Sequence, residues 1–546
     1  MLGGRDGFGP PEPLTNGDPE PSLEFSDMTT AWATPKADWM PPPPRVAIVG
    51  GGLAGLAAAV ALTGRDLNLT LYESRPRLGG RAGSFTDATT GELVDHCQHI
   101  ALGCCVNVIA FLETIGRGDF LKPFDRIPMI GPDRRAGALK AGPLPAPLHL
   151  AGGLFRLPFL TWGDKLGIAY AVTRLALRPD FRPNEPFAAW LTRHRQSPHA
   201  IERFWEPILV SALNESLDRI DPGLARMVIV EGLMRNRYGY RPLIPRGPLG
   251  EVFGPSLEHW LTTRGVKIHL STSVRRIELE DEPQAVAGLT LRDGRVVEAD
   301  LVILALPFGR VAAVLPERGQ RRLSTLIETL NSMEAAPITG IHLWFDRPVC
   351  PIEFAATPGR MIQWVFNHRK IGGGADAGPE YLQLVVSASR GLKGMGRQAI
   401  IDRALAELTA IWPEVGQARL NAARVVTEHA ATFSATPGLE KRRPFQRTPI
   451  DGLFLAGDWT ATGWPATMEG AVRSGFLAAE EALEYLGCPR RLVRPNPPGN
   501  GLSRWLLGPP PCDRPGRLIL GPIADEPPEP LGSSSPNAET EMIAAG

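Results

Sequence analysis

The sequence predicts an α/β protein in which a Rossmann-type dinucleotide-binding domain is interleaved with a mixed α+β domain. Three observations carry that expectation. A strand, a GxGxxG turn and an Ala-rich helix follow one another from Arg45; a second apolar strand ends at Gly457-Asp458 ahead of another helix; and Ala299–Pro307 is an apolar strand between them. The two glycine-bearing segments stand at opposite ends of the chain, so one domain has to be assembled from separated pieces.

Arg45–Val49 is a short apolar run bounded by proline and glycine, which reads as a buried strand. Gly50, Gly52 and Gly55 then supply the GxGxxG spacing: the first for the tight turn, the second for backbone approach to a pyrophosphate, the third for close packing of the helix on the strand. The helix N-terminus faces the anion. Leu67, Leu69 and Leu71 alternate along the next strand, which ends at Glu73, about 20 residues on, where a carboxylate accepts from ribose hydroxyls. The apolar stretch Val46–Leu62 is short for a bilayer and holds consecutive glycines, so it is not expected to span one.

Residues 1–44 are rich in Pro, Gly, Asp and Glu, and Pro-rich sequence returns from Pro489, so 1–44 and 489–546 read as disordered tails. The dinucleotide domain is expected over 45–105, 245–308 and 422–488, and the substrate-facing and membrane-facing domain over 106–244 and 309–421. Lys plus Arg and Asp plus Glu balance at 58 each, which leaves no net field for nucleic acid. The six cysteines show no CxxC pair and no zinc-like spacing with histidine, which argues against a metal site and fits a reducing cytoplasm. The vicinal Cys104-Cys105 reads as small buried residues.

Glu73 is followed by Ser74-Arg75-Pro76-Arg77-Leu78-Gly79-Gly80-Arg81, and an acidic strand end followed by RxGGR resembles the amine oxidase and phytoene desaturase superfamily of flavoproteins. The resemblance implies a Rossmann-type FAD-binding domain of the glutathione-reductase-like flavoprotein fold with noncovalent FAD. Gly79 and Gly80 would lie along the pyrophosphate and ribityl chain, with Arg81 as a phosphate donor. It also implies that Val274, in Ser273–Ile277, meets the adenine end through its backbone. Gly452–Asp458 and Thr467–Gly475 look like the superfamily's second flavin motif. There the Asp458 carboxylate beyond Gly457 accepts from a ribityl hydroxyl, and the helix start at Met468, Glu469 and Ala471 presents N–H groups to the flavin's pyrimidine oxygen.

A narrower resemblance rests on VDHCQHIALGCCVN (94–107), ATFSATP (431–437) and GDWTATGWPATMEGA (457–471), and it runs through most of residues 45–486. These segments are similar to those of the hydroxysqualene dehydroxylases of bacterial hopanoid synthesis. The usual Asp-Asn-Gly-Gln-His of that family stands here as Asp95-His96-Cys97-Gln98-His99. The resemblance implies reduction of hydroxysqualene to squalene and water, in a functional link with other squalene-synthesis enzymes. An allylic C–O bond ionises when an acid protonates the hydroxyl, so such a site needs one acid and many apolar walls. Asp95, Gln98 and His99 are the candidate catalytic residues, with His99 the preferred acid; a hydrogen-bonded domain junction is the competing reading of the same residues.

Leu144–Leu177 is apolar and aromatic with scattered Arg, Lys and Trp, which suits either a lipid-entry lip or an amphipathic core helix pair. The implied substrate favours the lip, with Leu154, Phe155 and Phe159 on its surface and peripheral attachment to the cytoplasmic side of the inner membrane. Trp190, Trp205, Trp344, Trp364, Phe345 and Phe366 are candidate cavity walls. Three other activities share parts of the pattern: phytoene desaturation, amine oxidation, and prenyl-lipid binding without catalysis.

Overall fold

Arg45–Val49 is buried on both faces, and its apolar run is explained by its place at the centre of a parallel sheet. The computed structural model describes residues 42–280, 285–374 and 378–508. The sheet is five-stranded, in the order Lys267–His269, Asn68–Tyr72, Arg45–Val49, Leu301–Leu304 and Leu453–Leu455, and every pair is parallel. Strands from three distant parts of the chain therefore share one sheet, and the register Val46↔Leu301 and Val302↔Leu453 brings their carboxyl ends to one edge.

Two helices cover this sheet at close quarters. Leu53–Leu62 crosses Met468–Tyr485 where a Cβ on Gly475 would stand 2.2 Å from the Ala54 carbonyl oxygen, so only glycine permits the contact. Val106–Thr114 packs into the same core through Val108, Phe111 and Leu112. The chain up to about residue 121 thus belongs with the dinucleotide side, beyond the boundary expected at 105.

A seven-stranded sheet forms the other layer, in the order Leu420–Phe433, Ala335–Phe345, Glu380–Ser387, Trp364–Asn367, Phe354–Ala356, Arg126–Ile130 and Ala136–Lys140. Leu420–Phe433 pairs with Ala335–Phe345 along nearly its whole length, so the expected start of the last dinucleotide segment at 422 moves to after Phe433.

The carboxy-terminal expectation needs a larger correction. Residues 489–508 are held against the core. The Arg494 amide donates to Asn107 Oδ1 and its carbonyl accepts from Asn107 Nδ2; buried Asn496 accepts from Trp464 Nε1; and the Ser503 amide donates to the Ala146 carbonyl. The remainder of both expected tails, 1–41 and 509–546, lies outside the described residues.

Leu154 and Phe159 are core residues together with Leu157 and Leu160, and Phe155 is half-buried, so these three do not form a lipid-facing surface. Trp190 and Trp205 are fully buried; Trp190 stacks on His194 at 3.9 Å and on Phe187 at 5.3 Å, as plain core does. No helix among the described residues is long and apolar enough to cross a membrane. Cys97, Cys104, Cys105, Cys350 and Cys488 are free thiols.

Candidate active site

The glycine turn and the RxGGR segment meet. Gly52 and Gly79 form a backbone bridge, and a Cβ placed on Gly52 would find only the Gly80 Cα, at 4.0 Å. Gly80 sits at φ +58°, with its own virtual Cβ 2.9 Å from the Gly52 Cα. The two motifs thus leave a side-chain-free cradle beside the start of Leu53–Leu62, whose N-cap residue Gly52 supplies no side-chain cap. A glycine-walled cradle at such a helix start is what a pyrophosphate needs.

Gly50 and Gly55 serve the turn itself. Gly50, at φ +114°, passes within 2.4 Å of the Ala305 carbonyl oxygen for a virtual Cβ, and Gly55 within 1.9 Å of the Gly50 carbonyl oxygen. Glu73 is buried at the end of its strand. Its Oε2 accepts from the Gly51 amide at 2.7 Å and its Oε1 from the Arg75 amide at 2.7 Å, so the carboxylate is fixed directly under the glycine turn. An open cleft of about 320 Å³, lined by Ser271, Thr272, Ser273, Leu291, Arg292 and Asp293, lies beside it, because the Thr272 amide donates to the Glu73 carbonyl. Val274 begins the strand next to that cleft and pairs with Leu291. This is the end of the site where the adenine was expected.

At the other end, Gly457 follows Leu453–Leu455, and its amide donates to Ser474 Oγ on the long helix at 2.8 Å. Asp458 accepts from Arg81 Nη2 at 2.6 Å, and Arg81 Nη1 reaches the Ala431 carbonyl. Burial works against the Arg81 charge, but the adjacent carboxylate more than offsets this and holds its pKa above the ordinary value. The two residues expected to hold different parts of one cofactor are therefore brought into contact.

Glu469 departs from expectation. Its carboxylate is fully buried and accepts from the Asn107 and Val108 amides, Asn107 Nδ2 and Arg473 Nε, which places it as the cap of Val106–Thr114. Any contact of Glu469 with a cofactor falls to its backbone. Met468 and Ala471 open the same helix, which Thr467 caps by accepting from the Gly470 amide.

Arg443 escaped the sequence reading. Its side chain is fully buried and donates to the carbonyls of Asp458, Thr460 and Trp464 and to Thr462 Oγ1. One guanidinium thus shapes the whole Asp458–Trp464 loop. No spacing in Lys441-Arg442-Arg443-Pro444 marks which of the basic residues turns inward.

The Asp95–His99 segment is divided in character. Asp95 is buried; its Oδ1 accepts from Ser84 Oγ at 2.5 Å and from the Leu249 amide at 2.9 Å, and burial pushes its pKa up to about 7. Asp95 Oδ2 and Gln98 Oε1 are buried with no hydrogen-bond partner among the described residues, while Gln98 Nε2 donates to the His99 carbonyl. His99 Nδ1 lies 2.9 Å from the Cys97 carbonyl, which only accepts, so the ring proton sits on Nδ1 and Nε2 carries a lone pair. Burial, with Arg81 and His96 nearby, lowers its pKa to about 4. His99 is thus a neutral acceptor at neutral pH, contrary to its expected role as the acid. Asp95, raised to about 7, is the member of the group whose protonated form burial favours.

The family model described as "Flavin containing amine oxidoreductase" matches residues 53–483. The chain is 30% identical to hydroxysqualene dehydroxylase of Sinorhizobium fredii over 81% of this chain and 99% of the relative. It is 30% identical to that of Rhodopseudomonas palustris over 80% and 98%, and 26% identical to 15-cis-phytoene desaturase of Synechococcus elongatus over 80% and 96%. Among solved structures, an oxidoreductase from Methanosarcina mazei superposes with a TM-score of 0.61 at 19% identity, covering 81% of this chain and all of that one. Cyclohexylamine oxidase from Brevibacterium oxydans superposes with a TM-score of 0.59 at 17% identity, covering 82% and all of that chain.

Proposed function

The chain belongs to the flavin containing amine oxidoreductase family, and from that premise we propose that it removes the allylic hydroxyl of hydroxysqualene to give squalene and water. Its cofactor is FAD and its chemistry oxidoreduction. The observation that carries the specific reading is the end-to-end similarity to two hydroxysqualene dehydroxylases.

Gly52, Gly79 and Gly80 would wall the cradle for the pyrophosphate while Gly50 and Gly55 hold its turn, Glu73 and Val274 would border the adenosine end, and Arg81 and Asp458 would stand at the ribityl side. Held there in its reduced form, FAD would supply the hydride that replaces the hydroxyl. Asp95 donates the proton with which the hydroxyl leaves as water, Gln98 orients the segment, and His99 stays neutral as a hydrogen-bond acceptor. Hydride and proton added to hydroxysqualene balance to squalene and water. The isoprenoid substrate reaches the protein from a membrane surface on the cytoplasmic side, in functional succession with other squalene-synthesis enzymes.

Similarity to phytoene desaturase supports a second reading, in which oxidised cofactor takes hydride from a polyene precursor. An anaerobic product assay separates them. Dithionite-reduced protein with hydroxysqualene should yield squalene by mass spectrometry, and oxidised protein with phytoene should yield no desaturated product. The reverse pattern would replace the first reading with the second.

A further inference from the structure

The helix Trp162–Leu177 carries apolar side chains on its outer face as well as its inner one. Its buried face carries Asp164 and Lys165 beside Ile168, Ala171, Leu175 and Ala176. Trp162 (68% exposed), Leu166, Tyr170 and Leu177 all face outward. At about 3.6 residues per turn these four fall on one stripe roughly 80° wide. The inward carboxylate has a local explanation, because Asp164 caps its own helix and accepts from Ser197 Oγ and the His199 ring. Trp162 meets the Phe155 ring at 5.9 Å and Lys165 Nζ at 5.1 Å, and Tyr170 meets the His194 ring at 6.4 Å, yet Trp162, Leu166, Tyr170 and Leu177 keep much of their apolar surface open.

The carboxy-terminal segment extends this surface. Ser503 is tied down by its amide to the Ala146 carbonyl and by its hydroxyl to the Arg235 carbonyl, and Leu507 packs on Ala176 and Val230. That anchoring leaves Leu502, Trp505 (83% exposed) and Leu506 outward, beside the loop that exposes Leu144 and Leu148. Through Leu507 on Ala176 the hook is anchored at the carboxy-terminal end of the helix that carries the stripe. Clustered exposed apolar side chains of this kind mark an interaction site rather than ordinary surface.

Charge selects the occupant. Residues 142–182 hold five Lys and Arg against two Asp, and residues 500–508 add Arg504 with no acid. Both aspartates are spoken for, Asp164 as above and Asp180 by Arg193 and Trp190 Nε1. Arg156, Arg178, Arg182 and Arg504 are exposed around the apolar stripe. A second copy docked on the same patch would set this basic rim against itself. Aromatic and aliphatic side chains within a basic rim suit the headgroup region of an anionic bilayer.

We propose that the outer face of Trp162–Leu177 and the hook Leu502–Leu506 form one docking surface for anionic lipid bilayers. The inference deepens the reading of an isoprenoid substrate, but its test reads lipid binding and not turnover. The full-length FAD-loaded protein is floated with vesicles of phosphatidylcholine alone or with phosphatidylglycerol. Partitioning should require phosphatidylglycerol and weaken with added salt. W162S/L166S/Y170S and, separately, W505S/L506S should each weaken it about tenfold or more while leaving the flavin spectrum intact.

Unchanged flotation of both variants would overturn the proposal. So would a wild-type chain that ignores vesicles, whether sedimentation finds it monomeric or finds a dimer that W162S/L166S/Y170S dissociates; the latter would make this face an interface between copies. Flotation as expected in a protein that leaves hydroxysqualene unchanged would retain the surface and remove the proposed reaction.

Discussion

Arg81 and Asp458 lie 377 positions apart and share a 2.6 Å charge-assisted hydrogen bond, which joins the two segments proposed to hold the cofactor. Each stands where its motif should meet FAD, so removing either one leaves the other misplaced. Asp458→Ala and Arg81→Met should each lower FAD affinity about tenfold or more, the loss of one charge-assisted bond, with activity falling in parallel. The flavin-to-protein absorbance ratio after gel filtration checks this. Full occupancy in both variants would detach the pair from the cofactor.

The glycines should separate by role. Gly52→Val fills the cradle opposite Gly80 without striking other backbone, so the protein should fold and purify colourless. Gly55→Ala sets a methyl 1.9 Å from the Gly50 carbonyl oxygen and should impair folding itself, seen as loss of soluble protein. Glu73→Ala should weaken FAD by only about 1–3 kcal/mol, because it removes hydrogen bonds and creates no clash. A yellow Gly52→Val protein would refute the cradle.

Arg443→Met should cost roughly 3–5 kcal/mol of stability, the range for stripping a buried charge network of one partner, since it strands the carbonyls of Asp458, Thr460 and Trp464. Chemical denaturation followed by flavin release measures it. A midpoint equal to that of wild type would show that the Asp458–Trp464 loop holds its shape without the guanidinium.

Stability should respond to pH from two directions. Burial lowers His99, His149 and His368 to about 4 and His342 to about 3, so their neutral forms belong to the fold. The stability they contribute is present above the ordinary histidine value of about 6.5 and is lost as pH falls toward those values. Asp95 has the opposite sign. Raised to about 7, it contributes stability in full below the ordinary carboxyl value and loses it as pH rises through 7. Asp95→Asn should therefore remove a downward slope in Tm between about pH 4 and pH 7. Identical Tm slopes for variant and wild type across that window would contradict the assignment.

The motifs were legible because each requires particular residues at particular spacings. Gly50, Gly52, Gly55, Gly79, Gly80 and Asp458 each have a backbone or charge role that leaves a trace in sequence. Pro-rich composition predicts disorder over residues 489–508, but composition does not register that Asn496 and Ser503 satisfy buried polar groups and tie an extended segment to the core. The role of His99 was hidden because only the fold sets which ring nitrogen faces the Cys97 carbonyl and how deeply the ring is buried. Leu154 and Phe159 looked like a lip because composition does not tell a helix's inner face from its outer one. The outward Trp162, Leu166 and Tyr170 show that the apolar surface lies one element further along. The boundary near residue 422 failed for a related reason, since Leu420–Phe433 is a long strand whose partner is fixed by tertiary pairing with Ala335–Phe345.

The most direct measurement is anaerobic stopped-flow absorbance of the dithionite-reduced protein mixed with hydroxysqualene. Wild type should reoxidise its flavin in a single turnover as squalene appears. Asp95→Asn should slow that step by about 10² to 10⁴, the range for loss of a general acid, while His99→Ala slows it by less than about tenfold. Flavin that stays reduced in the presence of hydroxysqualene, or an Asp95→Asn protein that reoxidises at the wild-type rate, would contradict the account.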